Sequence, residues 1–285
     1  MATYAFRLLN VFAESTFSGN GLCVFEDARG MDDSTMQALT AQFNLSETTF
    51  ILPSEHAHAR VRIFTPGYEM PFAGHPTLGT AQVVRNLFKT GDDLKLEFKA
   101  GVVPVHADGD VWTFAAPHAG QPKTAACELS GADAAALLGL HEDDVLAAPV
   151  WIDTGAHQLL IALKSIDAVR RVRPDGTRLN SWPQSNLGRK TAYVFAFDPE
   201  NPGKVISRYF FVKQGAVLED PGTGSACANL GGWLIVNRHA LPATFRVEQG
   251  EATGRPSLLH LSVSASGEIR VGGRVIELGH GVVTV

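Results

Sequence analysis

Polar and apolar residues alternate in Arg60-Val61-Arg62-Ile63 and again in Asp93-Leu94-Lys95-Leu96-Glu97-Phe98. That period belongs to a half-buried strand, one face inward and one outward. Similar runs recur at 4–12, 22–27, 48–54, 102–107, 111–116, 158–163, 191–197, 205–211, 258–264 and 274–278. Short strands this frequent, punctuated by Gly, Asn and Asp, predict curved sheets or barrels. The helical period is rarer. It predicts a helix over 33–43, with Met36, Leu39 and Phe43 on one face and Asp33 or Ser34 as the N-cap. A second runs from a Ser130 cap through Leu138. Two more, 76–88 and 224–238, are apolar on most faces, which requires burial all round. Pro76 suits the first turn of its helix, where a missing N–H costs nothing.

A buried helix enclosed by strands, met twice, predicts an α+β chain of two pseudo-symmetric domains, each a curved mixed sheet or barrel around a central apolar helix. At 285 residues the chain suits two domains. The composition of 118–130 predicts the linker. The expected boundaries are 1–118, completed by a C-terminal strand at about 278–285, and 119–277.

Charge and cysteines narrow the function classes. The net charge is −5 and no Lys/Arg run is present, so nucleic acid is excluded as an expected partner. Arg170, Arg171 and Arg173 read as a solvated helix end. Three cysteines, Cys23, Cys127 and Cys227, with no C-x-x-C, indicate neither a disulfide framework nor a zinc site and fit reduced thiols in a cytoplasm. No apolar run approaches the ~18–20 residues needed to span a bilayer, and Met1 to Val11 does not read as a signal peptide.

The chemistry concentrates in two glycine turns, PFAGHPTLG at 71–79 and EDPGTGSA at 219–226, each leading into a buried helix. The first N–H groups of a helix lack intrahelical partners and, with the macrodipole, favour an anion. Gly74 and Gly224 allow close backbone approach, and Thr77, Thr223 and Ser225 add hydroxyl donors. The expected ligand is a small anion such as a carboxylate. Neither turn is a P-loop or a dinucleotide fingerprint. Glu47, in NLSETTF, reads either as a surface carboxylate or as a general acid/base whose pKa would rise in a closed apolar cavity. His75 is either a structural hydrogen bonder or a substrate-binding group that assists proton transfer. Glu219 and Asp220 either reflect charge preference at a helix start, or one of them pairs with a substrate amine or hydroxyl. Gly19-Asn20-Gly21 reads as a hairpin turn, with ligand orientation by the Asn20 amide as the alternative.

NLSETTF, PFAGHPTLGTA and EDPGTGSA, together with FSGNG near the start and GRPS at 254–257, resemble the phenazine-biosynthesis PhzF-like isomerase family, of the diaminopimelate epimerase-like fold. The resemblance spans essentially the whole chain. It implies a homodimer without metal or organic cofactor and an active site in the cleft between the two halves. It also implies that Glu47 shuttles the proton, with His75 and Asp220 beside it as catalytic residues. Asn20, Gly74, Thr223, Gly224 and Ser225 would bind a small carboxylated substrate. Related epimerases and proline racemases use two opposed cysteines; at the corresponding positions this chain has Ala73 and Thr223. A cysteine-type amino-acid epimerase is therefore the disfavoured alternative, and a non-enzymatic ligand-binding member a further one. Where family members carry a proline, this chain reads Phe211-Val212-Lys213-Gln214, with Lys213 either a ligand contact or exposed.

Overall fold

The computed structural model describes residues 1–117 and 121–285. Its contacts divide the chain into two compact units, Met1–Ala115 with Gly272–Val285, and Ala116–Val271.

Unit 1 runs β1 (Thr3–Val11), β2 (Asn20–Phe25), α1 (Asp33–Phe43), β3 (Glu47–Leu52), β4 (Ala59–Phe64), β5 (Glu69–Met70), α2 (Gly74–Phe88), β6 (Asp93–Phe98), β7 (Gly101–Asp108) and β8 (Val111–Ala115). Unit 2 runs β9 (Lys123–Ala126), α3 (Gly131–Leu138), β10 (Val150–Asp153), β11 (His157–Ala162), α4 (Ile166–Arg171), β12 (Thr191–Phe197), β13 (Lys204–Lys213), β14 (Ala216–Asp220), α5 (Gly224–Val236), β15 (Ala243–Gln249), β16 (Ser257–Val263) and the start of β17 (Ile269–Thr284), whose remainder belongs to unit 1.

In unit 1 the sheet closes. β17 pairs with β1, β1 with β2, β2 with β3 in parallel, β3 with β4, β4 with β6 in parallel, β6 with β7, β7 with β8, and β8 with β17 again. Closure removes the sheet edges and leaves an apolar interior for one helix. α2 occupies it, packing against β1, β2, β3, β4, β6 and β8. Gly79 makes the close fit possible, since a Cβ there would lie 2.5 Å from Leu22 Cδ2 and 3.0 Å from Val11 Cγ2. Outside the barrel, α1 packs on β3 and β4 over a second apolar layer that includes Phe25, Met36, Leu39 and Phe50.

Unit 2 repeats the plan. α5 packs against β10, β11 and β16, while α4 packs on β12 and β13 over Val169, Val194 and Phe210. Here β11 and β12 are parallel, and so are β13 and β15. An arginine-carboxylate pair recurs at the same place. Arg62 on β4 grips Glu69 on β5 with both ends of its guanidinium and stacks on Phe64. Arg208 on β13 grips Glu219 on β14 likewise and stacks on Phe210.

Several expectations need correction. The N-cap of α1 is Asp32, which accepts from Thr35 N–H, not Asp33 or Ser34. Of the expected linker, 118–120 lies outside the described residues and Lys123–Ala126 pairs with β10 as a strand. Gly19-Asn20-Gly21 is not a hairpin turn. Val11 pairs with Asn20, so the connection covers 12–19 and Asn20 already belongs to a strand. α5 ends at Val236, which is 44% exposed, so its burial is not all-round. The strands β5, β9, β10 and β14 and the helix α4 carry too little periodicity to be read from sequence, whereas β15 went unassigned although Phe245-Arg246-Val247-Glu248 alternates apolar and polar residues. The arginines at the end of α4 are solvent-facing and matched by acids, Arg170 by Glu251 and Arg171 by Asp144 and Asp167.

Candidate active site

Unit 1 brings Asn20, Glu47 and His75 together. β2 and β3 are parallel, with Leu22 opposite Glu47, so both strands begin at the same end of the barrel. Thr49 reaches inward, its hydroxyl 2.8 Å from that of Thr80 on α2. Side chains two residues apart on a strand share a face, so Glu47 is on the same side. His75 is the second residue of α2 and only 5% exposed. Its Nε2 lies 3.4 Å from Glu47 Oε2, and its Nδ1 lies 3.4 Å from Asn20 Nδ2. The Glu47 side chain is 16% exposed.

The protonation state of His75 decides what that contact is. Burial drives its pKa from 6.5 to about 3, against the opposing effect of a hydrogen bond to the Gly21 backbone. At neutral pH the imidazole is uncharged. The contact with Glu47 is therefore a close approach to a neutral ring and not an ion pair. A neutral imidazole still orients a carboxyl group or a ligand through its ring nitrogens.

Unit 2 organises Asp220, Thr223, Gly224 and Ser225 in one turn. Strand alternation in β14 sends the two adjacent acids to opposite faces. Glu219 is committed to Arg208, and Asp220 accepts the Thr223 hydroxyl at 2.5 Å. Gln249, 2% exposed, clamps the turn. Its Nε2 donates to the Asp220 carbonyl at 2.8 Å and to Thr223 Oγ1 at 3.0 Å, and its Oε1 accepts Thr223 N–H at 3.3 Å. The next residue, Gly250, has φ +81°, and a Cβ there would overlap the carbonyl oxygens of Arg255 and Pro221, so only glycine fits. Behind Ser225, a buried chain links Gln158, Asn229, Thr154 and Tyr209. Burial holds the Tyr209 hydroxyl up at about 12. Lys213 ends β13 at the hairpin into β14.

The N-termini of α2 and α5 differ from those of the other helices. α1, α3 and α4 are capped by the side chains of Asp32, Ser130 and Ser165. α2 and α5 have Ala73 and Thr223 at the N-cap, and neither makes a side-chain cap bond. Thr77, expected to offer a hydroxyl donor, instead donates to the Ala73 carbonyl at 2.7 Å, and the Thr223 hydroxyl is directed at Asp220. Of the three hydroxyls, that of Ser225 is met by a donor, Gln158 Nε2 at 3.0 Å.

The thiols are not placed for base chemistry. Cys23 and Cys227 are fully buried, and burial pushes both well above the usual thiol range. Among the described residues no group of three or more His, Cys, Asp or Glu is placed to hold a metal ion. No helix among them is long and apolar enough to cross a membrane.

Sequence reading missed Gln158, Asn229, Thr154, Tyr209 and Gln249. A signal existed for two of them, because Asn229 stands inside the apolar stretch of α5 and Gln158 directly precedes the apolar run 159–162 of β11. Gln249 has no such signature.

Comparison with known proteins identifies the family. Residues 9–284 match the phenazine biosynthesis-like protein family, PhzC-PhzF, and the chain belongs to that family. An uncharacterized isomerase of Pasteurella multocida is 39% identical over 99% of this chain and 94% of its own. The trans-2,3-dihydro-3-hydroxyanthranilate isomerase of Pseudomonas aeruginosa is 31% identical over 93% of this chain and 92% of its own. The crystal structure of a Bacillus anthracis phenazine biosynthesis protein of the PhzF family superimposes with a TM-score of 0.87, covering 100% of both chains at 23% identity. That likeness is one of fold.

Proposed function

We propose that this isomerase moves a proton within a small carboxylated metabolite, with Glu47 as the single base and acid and no cofactor. The observation that carries the reading is the placement of Glu47. It is a half-buried carboxylate against a neutral, buried His75, at the end of the barrel where α2 begins without a side-chain cap. A carboxylate so placed takes a proton from an acidic carbon and returns it to another position on the same face. His75 and Asn20 hold the carboxyl group and the substrate in register. In unit 1 the N–H groups of Gly74 and His75 at the start of α2, and in unit 2 those of Gly224 and Ser225 at the start of α5, are each suited to receive a carboxylate or developing negative charge. Asp220, fixed by Thr223, accepts a donor group of the substrate.

Two-thiol racemisation has no support in these residues, since Ala73 and Thr223 stand at the helix starts and the buried thiols resist ionisation. The Pseudomonas aeruginosa relative supplies the first probe substrate, trans-2,3-dihydro-3-hydroxyanthranilate. Turnover in heavy water is expected to place deuterium at the carbon that gains the proton. E47Q is expected to lose at least ~10²-fold in kcat/KM, the usual contribution of a positioned acid/base. Full activity in E47Q would overturn the assignment. The chain is further expected to act as a homodimer, checked by sedimentation at twice the chain mass.

A further inference from the structure

Two buried glutamines in unit 2 carry hydrogen bonds whose direction is set by backbone groups. The oxygen and nitrogen of an amide are told apart by what they face. The N–H and the hydroxyl of Thr154 both approach one side-chain atom of Asn229, at 2.9 and 2.7 Å. A backbone N–H only donates, so that atom is Oδ1. Asn229 Nδ2 then donates to the Ala156 carbonyl and to Gln158 Oε1, each at 2.7 Å. Gln158 Nε2 is left to donate, to Ser225 Oγ at 3.0 Å and to the Tyr209 hydroxyl at 3.2 Å. Ser225 therefore accepts from the protein and offers its own proton outward.

The second chain has the opposite ending. Thr223 N–H identifies the Oε1 of Gln249, and the Asp220 carbonyl identifies its Nε2. The same Nε2 donates to Thr223 Oγ1, so the Thr223 proton goes to Asp220 Oδ2. Asp220 is thereby held as an acceptor. These groups are deeply placed, with Gln158 6%, Asn229 0%, Thr154 2% and Gln249 2% exposed. Burying so many polar atoms is costly unless each is satisfied, and an apolar set would pack more cheaply.

We infer that Gln158 and Gln249 are positioning residues that set the polarity of the second turn, presenting Ser225 as a donor and Asp220 as an acceptor. The ligand that matches has a carboxylate or similar acceptor together with an N–H or O–H donor on one small frame. The inference rests on the turn being a substrate-binding element.

The test uses Q158E and Q249E, which keep size and an acceptor but lose both amide donors. Q158M and Q249M, which add no charge, are measured alongside. Probes are trans-2,3-dihydro-3-hydroxyanthranilate and its carboxamide. In Q158E the Ser225 proton turns to the new carboxylate. KM for the acid is expected to rise at least ~10-fold, as for a lost hydrogen bond to a charged group, with kcat changed far less. The preference for acid over carboxamide falls by a similar factor, a readout that general loosening of the fold would not move. In crystals of Q249E, the Thr223 hydroxyl is expected to leave Asp220. An unchanged acid-to-carboxamide preference in both position-158 variants, or a Thr223–Asp220 bond intact in both position-249 variants, would overturn the inference. If the wild type neither binds nor converts either probe, the reading of the turn as a site for this substrate falls, while the Thr223–Asp220 geometry in the position-249 crystals still decides the role of Gln249.

Discussion

His75 sets the residue scale. Its pKa falls from 6.5 unfolded to about 3 folded because the buried ring cannot hold a charge. Between those values the unfolded chain binds a proton that the folded chain refuses. Stability at this residue is therefore intact above about pH 6.5 and declines as pH falls toward 3. Replacing His75 by Asn, which does not titrate, is expected to flatten that acid loss, checked by urea unfolding at pH 7 and pH 5. An H75N protein with the same pH 7-to-5 difference as wild type would contradict the neutral-ring assignment. Thiol chemistry gives a second residue-scale prediction. With Cys23 and Cys227 buried and held protonated, iodoacetamide on the native enzyme is expected to leave turnover of the probe substrate within about two-fold.

At the scale of elements, the duplicated arginine-glutamate pair holds each glycine turn in place. A constant sequence offset relates Glu69, Ala73 and Gly74 of unit 1 to Glu219, Thr223 and Gly224 of unit 2. The chemistry between these fixed points has diverged, with Met70 against Asp220 and His75 against Ser225. Arg208 does more than its counterpart. Besides Glu219 it donates to the Val172 carbonyl at 2.8 Å, closing the C-terminal end of α4. Removing one member of a buried pair leaves the other charge uncompensated, a loss of about 3 kcal/mol. R208M is expected to cost that much by urea unfolding, and R62M less, because its second partner, Asp33, is 79% exposed. Equal losses would show that burial does not set the difference. D32A is expected to lower stability in urea unfolding, since the Asp32 side chain caps α1 through Thr35 N–H.

At the scale of the molecule, the plan is one unit met twice, with the proposed ionisable groups Glu47 and His75 in unit 1 and Asp220 in unit 2. Unit 1 holds the candidate base beside the start of α2; unit 2 holds a hydrogen-bonded cradle with no base inside it other than Asp220. If Glu47 alone moves the proton, solvent deuterium enters at one position per turnover, and E47Q delivers it at least ~10²-fold more slowly. Deuterium delivered at an undiminished rate by E47Q would require a second base elsewhere in the protein.

The amino-acid sequence by itself determined the class of fold and the motif residues. Alternation and all-round apolar helices are local patterns, and each reports directly whether a segment has one buried face or none. They were sufficient for twelve of the strands, the two central helices, and the turns bearing His75 and Asp220. Tertiary structure decided the rest. A C-terminal strand completing the first domain was already expected; the register in which β17 pairs with β1 and closes the barrel on β8 is what no local period encodes. It also decided which of two adjacent acids is engaged by Arg208, that the His75 ring is neutral, and that Thr77 and Thr223 direct their hydroxyls inward. Those outcomes depend on burial and on partners distant in sequence. Gln249 is the clearest case, because its identity says only that it can donate and accept, and the fold alone says to whom.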